Sequence, residues 1–456
     1  MTERVVIIGG GAAGPKTAAK LRRQNPDIII EMYTDEYDIS YSACGLPYYI
    51  SGIIPHIDEL LVRSPAQFES RGVRVFLGEK AIKINKENKF VIFKNVKTDE
   101  EKAVYYDILV IATGARPRVP SIQNHDFKNV YTLRKLADGV AIREKMLQSE
   151  NATIVGFGYI GVEILEAFIK NGLSVNIIDN NKHLLGSAFD DDMAVQIQKY
   201  IETRDGDKIK LFTGQYATRF VGENNIAQKV VTSDGHEFET DFIVLSTGVV
   251  PNSEIAVDAG LKMGVNNSIW VDNHLKTSQP DIYAVGDCCT KRHIVTKHQC
   301  WLPLGSTANK EGRCAAINIA NYNCDFEGVL GATVSRYFDF TLAKTGITET
   351  EAKNLGYDVV TATVTKEDRA GYMPECAEIT LKLVVDVNSR DILGLQGIGN
   401  GDAEKRVATI SAAIVDFVKV DDIMSLDLPY APPFSTAIDP LLNAVHIIQE
   451  KLKILD

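Results

Sequence analysis

No stretch of this sequence approaches the roughly 18 apolar residues in a row that a membrane-spanning helix needs, so no membrane partner is expected. The opening Met1-Thr-Glu-Arg4 runs straight into Val5-Val-Ile-Ile8, which leaves no space for a basic region, a long apolar region and a cleavage site. Positive charge is also short. There are 49 Lys and Arg against 60 Asp and Glu, and the net charge of −11 excludes nucleic acid as the main partner, because a phosphate backbone needs a basic face. A local basic patch stays compatible with a small phosphorylated ligand. The seven cysteines are odd in number and follow no framework spacing, which fits a reducing, cytoplasmic setting better than a disulfide scaffold. What is present is ordinary for a globular chain: 45% hydrophobic and 24% charged residues over 456 positions, too many for one core and enough for two or three domains.

A local dithiol is missing too. Cys44 stands in Ser40-Tyr-Ser-Ala-Cys44-Gly-Leu-Pro-Tyr-Tyr-Ile-Ser-Gly52, where the following Gly and Pro argue against an ordinary helical turn. The next cysteine in sequence is Cys288, so no CxxC or CxxxxC pair exists. A thiol attacks only as thiolate, and a reactive Cys44 therefore needs surroundings that lower its pKa, such as a helix N-terminus or a bound electron acceptor. Its oxidised form would be a sulfenic acid or a mixed disulfide with a small thiol. A buried structural cysteine in a turn is the competing reading of these residues.

One glycine pattern occurs twice. The run Val5–Ile8 reads as a buried strand, Gly9-Gly-Gly11-Ala12-Ala-Gly14 as a turn, and Lys16–Gln24 as a helix. Gly-x-Gly-x-x-Gly in this setting lets backbone N–H groups approach a pyrophosphate at the positive end of the helix. A second strand is expected over Ile28–Thr34, and the spacing for a ribose-binding residue lands on Thr34 and Asp35, with Glu31 inside the strand. The pattern returns as strand Ala152–Val155, turn Gly156-Phe-Gly158-Tyr159-Ile-Gly161 and helix Val162–Lys170. Its next strand, Ser174–Ile178, ends on Asp179, whose carboxylate would repel a 2′-phosphate and so favours NADH over NADPH, while Lys182 softens that preference and leaves NADPH possible. Two dinucleotide folds imply two dinucleotides, and the plain chemical reason to hold both is to pass a hydride from nicotinamide to flavin. Tyr106–Gly114, with Thr113 and Gly114 at its end, and Asp241–Asn252, with Gly248, each close one fold with a strand and a turn. Asp281–Asp287 is a strand ending in Asp287, suited to accept hydrogen bonds from ribityl hydroxyls.

Together the Gly9 and Gly156 fingerprints, the two Thr-Gly turns, Ala-Val-Gly-Asp287 and Ser-Ala-Cys-Gly-Leu-Pro-Tyr resemble the pyridine nucleotide-disulfide oxidoreductase family. The lone cysteine resembles its branch of coenzyme A disulfide reductases, persulfide reductases, NADH oxidases and NADH peroxidases. The likeness extends through Leu342–Gly346, Ala370–Pro374, Gly394–Gln396 and Leu428–Phe434. It implies an α/β architecture: a Rossmann-like FAD domain (residues 1–120 and 275–325), a Rossmann-like NAD(P)H domain (121–274), and an α+β dimerisation domain (326–456) that makes a homodimer. Within the last, strands are expected at Ile379–Val385 and Asp391–Gln396 and helices at Thr348–Leu355 and Ala403–Val418. The resemblance also implies that NADH displaces Tyr159 from the nicotinamide pocket and that Glu163 orients the nicotinamide end. It brings the Tyr-Ala-Pro-Pro segment to the partner's cysteine, so Tyr430 and Tyr372 become candidates to serve Cys44 of the other subunit. Aromatic filler at a subunit interface is the plainer reading of both. His446 reads as a packed residue of an apolar helix, and Cys288 and Cys289 as structural.

Three outcomes stay open: a small-molecule disulfide or persulfide reductase, an NADH oxidase acting through a sulfenate, and a non-catalytic redox sensor. Oxygen and peroxide reducers of this branch carry a His in the first glycine loop, where this chain has Ala12. Lys16, Lys20 and Arg23, spaced i, i+4, i+7 on one helix face, suit the phosphates of coenzyme A, or else form a solvated face. Ser40 is placed with them as a substrate contact. Against coenzyme A, reductases of its disulfide usually have Asn before the cysteine, and Ala43 stands there. No metal is expected.

Overall fold

The computed structural model describes residues 3–455. Its first sheet is parallel throughout, in the order Ile282–Ala284, Ile108–Ile111, Arg4–Ile8, Ile29–Tyr33, Val73–Phe76. The helix Ala13–Gln24 starts at once behind the first glycine loop, three residues earlier than expected. A second parallel sheet runs Ile209–Thr213, Ser174–Asp179, Asn151–Val155, Phe242–Leu245, Val130–Thr132, and its loop feeds the helix Tyr159–Lys170. Central strands in both are almost wholly buried because each sheet is covered on one face by helices and on the other by a three-stranded antiparallel sheet: Glu79–Asn85, Phe90–Asn95 and Glu101–Tyr105 in the first fold, Ala217–Glu223, Ile226–Thr232 and Glu237–Glu239 in the second. The two folds meet where Val249–Pro251 pairs with Ala115–Pro117, just beyond the two Thr-Gly turns. There Thr113 Oγ1 donates to the Asn252 carbonyl at 2.5 Å and Asn252 Nδ2 returns a bond to the Thr113 carbonyl at 2.9 Å.

The third sheet is antiparallel, in the order Thr333–Tyr337, Phe340–Gly346, Ile392–Gly399, Glu378–Asp386, Val359–Glu367, with helices Ala403–Val415 and Pro440–Leu455 packed on it. The two expected strands are present, each two residues longer, and the helix expected from Thr348 begins at Glu349 because Thr348 is its N-cap, accepting from Glu351 N. His446 corrects the reading above. It lies on the exposed face of the last helix, while Leu441, Ala444, Val445, Ile448 and Leu452 fill the core. Asp190 ties the second fold to the third. It accepts from Glu349 N, Thr350 N, Thr350 Oγ1 and Gln396 Nε2, and Lys382 stands 3.3 Å away. Burial opposes its charge, but these donors win and hold the carboxyl below its usual pKa. Among the described residues no helix is long and apolar enough to cross a membrane.

Candidate active site

The two glycine loops face one continuous cleft of about 2340 Å³. Gly9, at φ +120°, brings its Cα so close to the next strand that a Cβ would sit 2.1 Å from the Ala112 carbonyl oxygen, and one on Gly14 would sit 2.0 Å from that of Gly9. Only glycine permits this packing of helix on strand. Gly11 and Gly158 are different: a Cβ at either would meet nothing of the chain, since both border the cleft. Gly156 and Gly161 pack against Ser246 and Phe157 in the same manner as Gly9 and Gly14.

Around the first loop, Ala12 and Lys16 line the cleft, as do Thr34, Asp35 and Ser40. Thr34 is buried against Gly10 and uses Oγ1 to accept from Glu36 N at 3.3 Å, while Asp35 lies exposed 3.9 Å from Lys135. Glu36, not singled out in the sequence, brings a carboxylate to the cleft wall, held by Tyr41 OH at 2.9 Å and Lys135 at 3.5 Å. The side chain of Lys20 does not join this wall. Its ammonium donates to Gln24 Oε1 at 3.1 Å, so the basic stripe in the cleft is Lys16 and Arg23, joined by Arg63 from a separate loop.

Asp287 borders the same cleft but does not end a strand as expected: the strand Ile282–Ala284 stops short of it, and Asp287 sits in the 3₁₀ turn Gly286–Cys288. Its Oδ2 receives Arg134 at 3.0 Å and its carbonyl accepts from Trp301 Nε1 at 2.8 Å, while the buried Oδ1 has no protein partner. A buried carboxylate oxygen without a donor marks a place where a ligand hydroxyl completes the set. Together with the open space over Gly11 and Gly158, it makes the cleft fit a bound dinucleotide and a ribityl chain. Arg134 escaped the sequence reading because a basic residue between a strand and a helix carries no periodic signal.

At the second loop, Asp179 is buried and accepts three bonds: Phe157 N at 2.6 Å on Oδ2, and Asn181 N at 2.8 Å and Nδ2 at 2.7 Å on Oδ1. A carboxylate has about four acceptor positions, so one on Oδ2 is not filled by the bonds above. Lys182 turns away to Asp191 at 3.3 Å. Tyr159 stands within the cleft, its hydroxyl 2.7 Å from Thr333 Oγ1 of the third sheet, and burial pushes its pKa up to about 12. Glu163, one helical turn on, accepts from Ser335 Oγ at 3.2 Å, and burial lifts its carboxyl to about 7 despite that bond.

Cys44 opens to this cleft between the two loops. Contrary to expectation, Gly45 and Pro47 do not prevent a helix. Cys44 sits in the 3₁₀ turn Ala43–Gly45, which passes directly into the helix Leu46–Ile50, and Pro47 occupies its first turn, where the missing N–H costs nothing. Ser40, held at φ +51°, sets the entry to this segment by donating its N–H to the Gly10 carbonyl and accepting from Val62 N. The chain alone does not lower the thiol's pKa. The cleft walls raise it by desolvation and Glu163 adds in the same direction, Arg134 opposes them, and Asp287 raises it further. All seven cysteines are free thiols, and Cys288 and Cys289 are fully buried. Gly248 borders the second loop's side of the cleft. Tyr372 and Tyr430 lie outside it on the third unit, 75% and 53% exposed, in two segments joined by Ala370 N and the Pro432 carbonyl at 3.2 Å. Among the described residues no group of His, Cys, Asp or Glu is arranged to hold a metal ion.

Residues 3–312 match the family described as pyridine nucleotide-disulphide oxidoreductase, and residues 333–441 match its dimerisation domain. The chain belongs to this family. A relative from Pyrococcus abyssi, named NAD(P)H sulfur oxidoreductase (CoA-dependent), is 36% identical over 98% of each chain. One from Methanocaldococcus jannaschii, named NADH oxidase, is 32% identical over 98% of this chain and 99% of its own. The structure of an NAD-dependent persulfide reductase from A. fulgidus matches with a TM-score of 0.95 at 35% identity, covering 99% of this chain and 84% of that one. The protein is thus an FAD-dependent pyridine nucleotide-disulphide oxidoreductase, and the family implies FAD and NAD(P)H as its nucleotides. For this oxidoreductase, the carboxylate of Glu163 is one source of the raised Cys44 pKa. Alkylation of Cys44 by iodoacetamide in nucleotide-free protein should therefore accelerate only above the usual thiol pKa of about 8.5. Glu163→Gln should move that profile to lower pH, and an unmoved profile would show that the carboxylate does not act on the thiol.

Proposed function

We propose that this oxidoreductase takes a hydride from NADH and delivers the electron pair to Cys44, which reduces a small disulfide or persulfide, coenzyme A disulfide foremost. The observation that carries this reading is the position of one unpaired thiol in the cleft that joins two glycine loops and is edged by Lys16, Arg23 and Arg63. FAD, held against the Gly9 loop and Asp287, would take a hydride from the nicotinamide of the second nucleotide and supply its electron pair to sulfur. The remaining work falls to side chains. The Cys44 thiolate attacks one sulfur of the substrate, its S–S bond breaks, and one thiolate leaves and takes a proton while the other stays as a mixed disulfide on Cys44. An electron pair then breaks that disulfide, restoring the Cys44 thiolate and releasing the second substrate thiolate, which takes a proton. Lys16, Arg23 and Arg63 hold substrate phosphates, and Glu163 orients the nicotinamide end once Tyr159 moves aside.

The dimerisation domain supports a homodimer, and Tyr430 and Tyr372 are placed by this reading at the partner's Cys44 as phenol donors to the leaving sulfur. An interface covering Tyr372, Tyr430, Phe434 and Ile438 would bury large side chains now more than half exposed. A second reading, NADH oxidase through a Cys44 sulfenate, draws on the relatives that bear that name. Ala12 speaks against it, because a loop without His offers no acid to protonate a departing hydroxide. A redox sensor without turnover has no use for the second, fully formed nucleotide loop.

Mass spectrometry of protein purified without reductant should find coenzyme A disulfide-linked to Cys44, and a thiol free of any adduct would count against this substrate. The Asp179 carboxylate and the diversion of Lys182 should give NADH at least about a tenfold higher kcat/KM than NADPH, which corresponds to about 1.4 kcal/mol. Asp179→Ala should narrow the ratio, and equal use of both nucleotides by the parent enzyme would refute the assignment.

A further inference from the structure

Behind Asp287 lies a pair of charges that the reaction does not use. Lys291 and Glu311 are fully buried and stand 3.2 Å apart. Both reach the same residue. Glu311 Oε2 accepts from Gly286 N at 2.6 Å, and Lys291 Nζ donates to the Gly286 carbonyl at 2.8 Å and to the Cys289 carbonyl at 3.1 Å. Gly286, at φ +83°, immediately precedes Asp287, and a Cβ on it would press to 3.0 Å on Ala13, the first residue of the helix behind the Gly9 loop. Glu311 belongs to the helix Gly305–Ile319, whose Gly312 approaches the same helix so closely that a Cβ would lie 2.6 Å from the Ala13 carbonyl oxygen. The pair therefore holds the two peptide groups on either side of Gly286 at the point where the Asp287 turn and two helices meet.

A buried ion pair is seldom worth more to stability than well-packed apolar side chains of the same size. What apolar side chains cannot do is accept from the buried Gly286 N–H, which Glu311 satisfies; the Gly286 carbonyl also accepts from Cys289 N at 3.3 Å and loses only one of its donors. We propose that Lys291 and Glu311 are positioning residues that lock the Gly286-Asp287 turn in the shape that receives FAD. The inference rests on the reading that FAD occupies the first fold against Asp287.

The test compares FAD release from the holoenzymes on dilution, read by flavin fluorescence, with their melting temperatures in excess FAD. K291M/E311L replaces the pair by apolar side chains; relief from burying two charges offsets the cost of the unpaired Gly286 N–H, so it should fold and melt near the parent, yet bind FAD about tenfold or more weakly. Parent-like FAD affinity in a folded K291M/E311L would overturn the proposal. If that variant fails to fold, E311Q and E311M supply the contrast. Both leave Lys291 without its counter-charge, but only glutamine still accepts from Gly286 N–H, so E311Q should hold FAD about tenfold more tightly than E311M. Equal affinities would overturn the proposal. A parent protein that carries no FAD would instead defeat the cofactor reading, and this inference with it.

Discussion

Everything proposed for this protein depends on where Leu46 and Ile50 go. They follow Cys44 by two and six residues and are buried in the core of the second fold, although the glycine loop that precedes them in sequence belongs to the first. Leu46 lies under Gly139 of the helix Leu136–Met146, where a Cβ would meet it at 2.8 Å, and the short helix also packs on Tyr159–Lys170. At the other end Ser40 is bonded to Gly10 of the first loop. The cysteine is thus stretched between one nucleotide loop and the core beneath the other. Burial of a Leu or Ile of this kind is worth about 2–5 kcal/mol against Ala, enough to fix the turn without a helix of any length.

Electrostatics complete what packing begins. Cys44 sits in a cleft whose own groups raise its pKa, so its thiolate depends on charges or acceptors that arrive with the nucleotides and the substrate. Glu163 titrates near neutrality, which means its negative charge, and with it its pressure on the thiol, grows as pH rises through about 7. Asp287 is held by Arg134 on one oxygen and left open on the other, and Asp179 keeps one of its four acceptor positions. A protein this acidic places its cations sparingly, and Lys16, Arg23, Arg63 and Arg134 all border the same cleft.

Both glycine loops were legible in the sequence because their chemistry is local: Gly9, Gly14 and Gly156 are required by backbone contacts that no other residue permits, and Gly161 packs tightly on Gly156 and Phe157. The strands flanking both loops and the α+β character of the third unit followed from the same patterns and from the family resemblance, while the order of strands in each sheet did not. What was not legible depends on side-chain direction and on distant elements. Lys20 shares a helix face with Lys16 and Arg23, yet its ammonium is taken by Gln24. His446 lies in an apolar run but on the face turned away from the sheet. Pro47 looked like a helix breaker and proved to be a helix starter, since position within the turn decides its effect. Glu36, Arg134 and the Lys291–Glu311 pair gain meaning only when elements more than a hundred residues apart, or a loop and a buried helix, come together.

The central claim is that Cys44 is an electron acceptor and not a packed turn residue. Anaerobic titration with NADH of the enzyme as isolated, followed in the flavin absorption band, tests it most directly. If the account is correct, the parent takes up a second electron pair per chain beyond the flavin's own, and Cys44→Ser retains its flavin but takes up only the first. Equal uptake by the two proteins would contradict it.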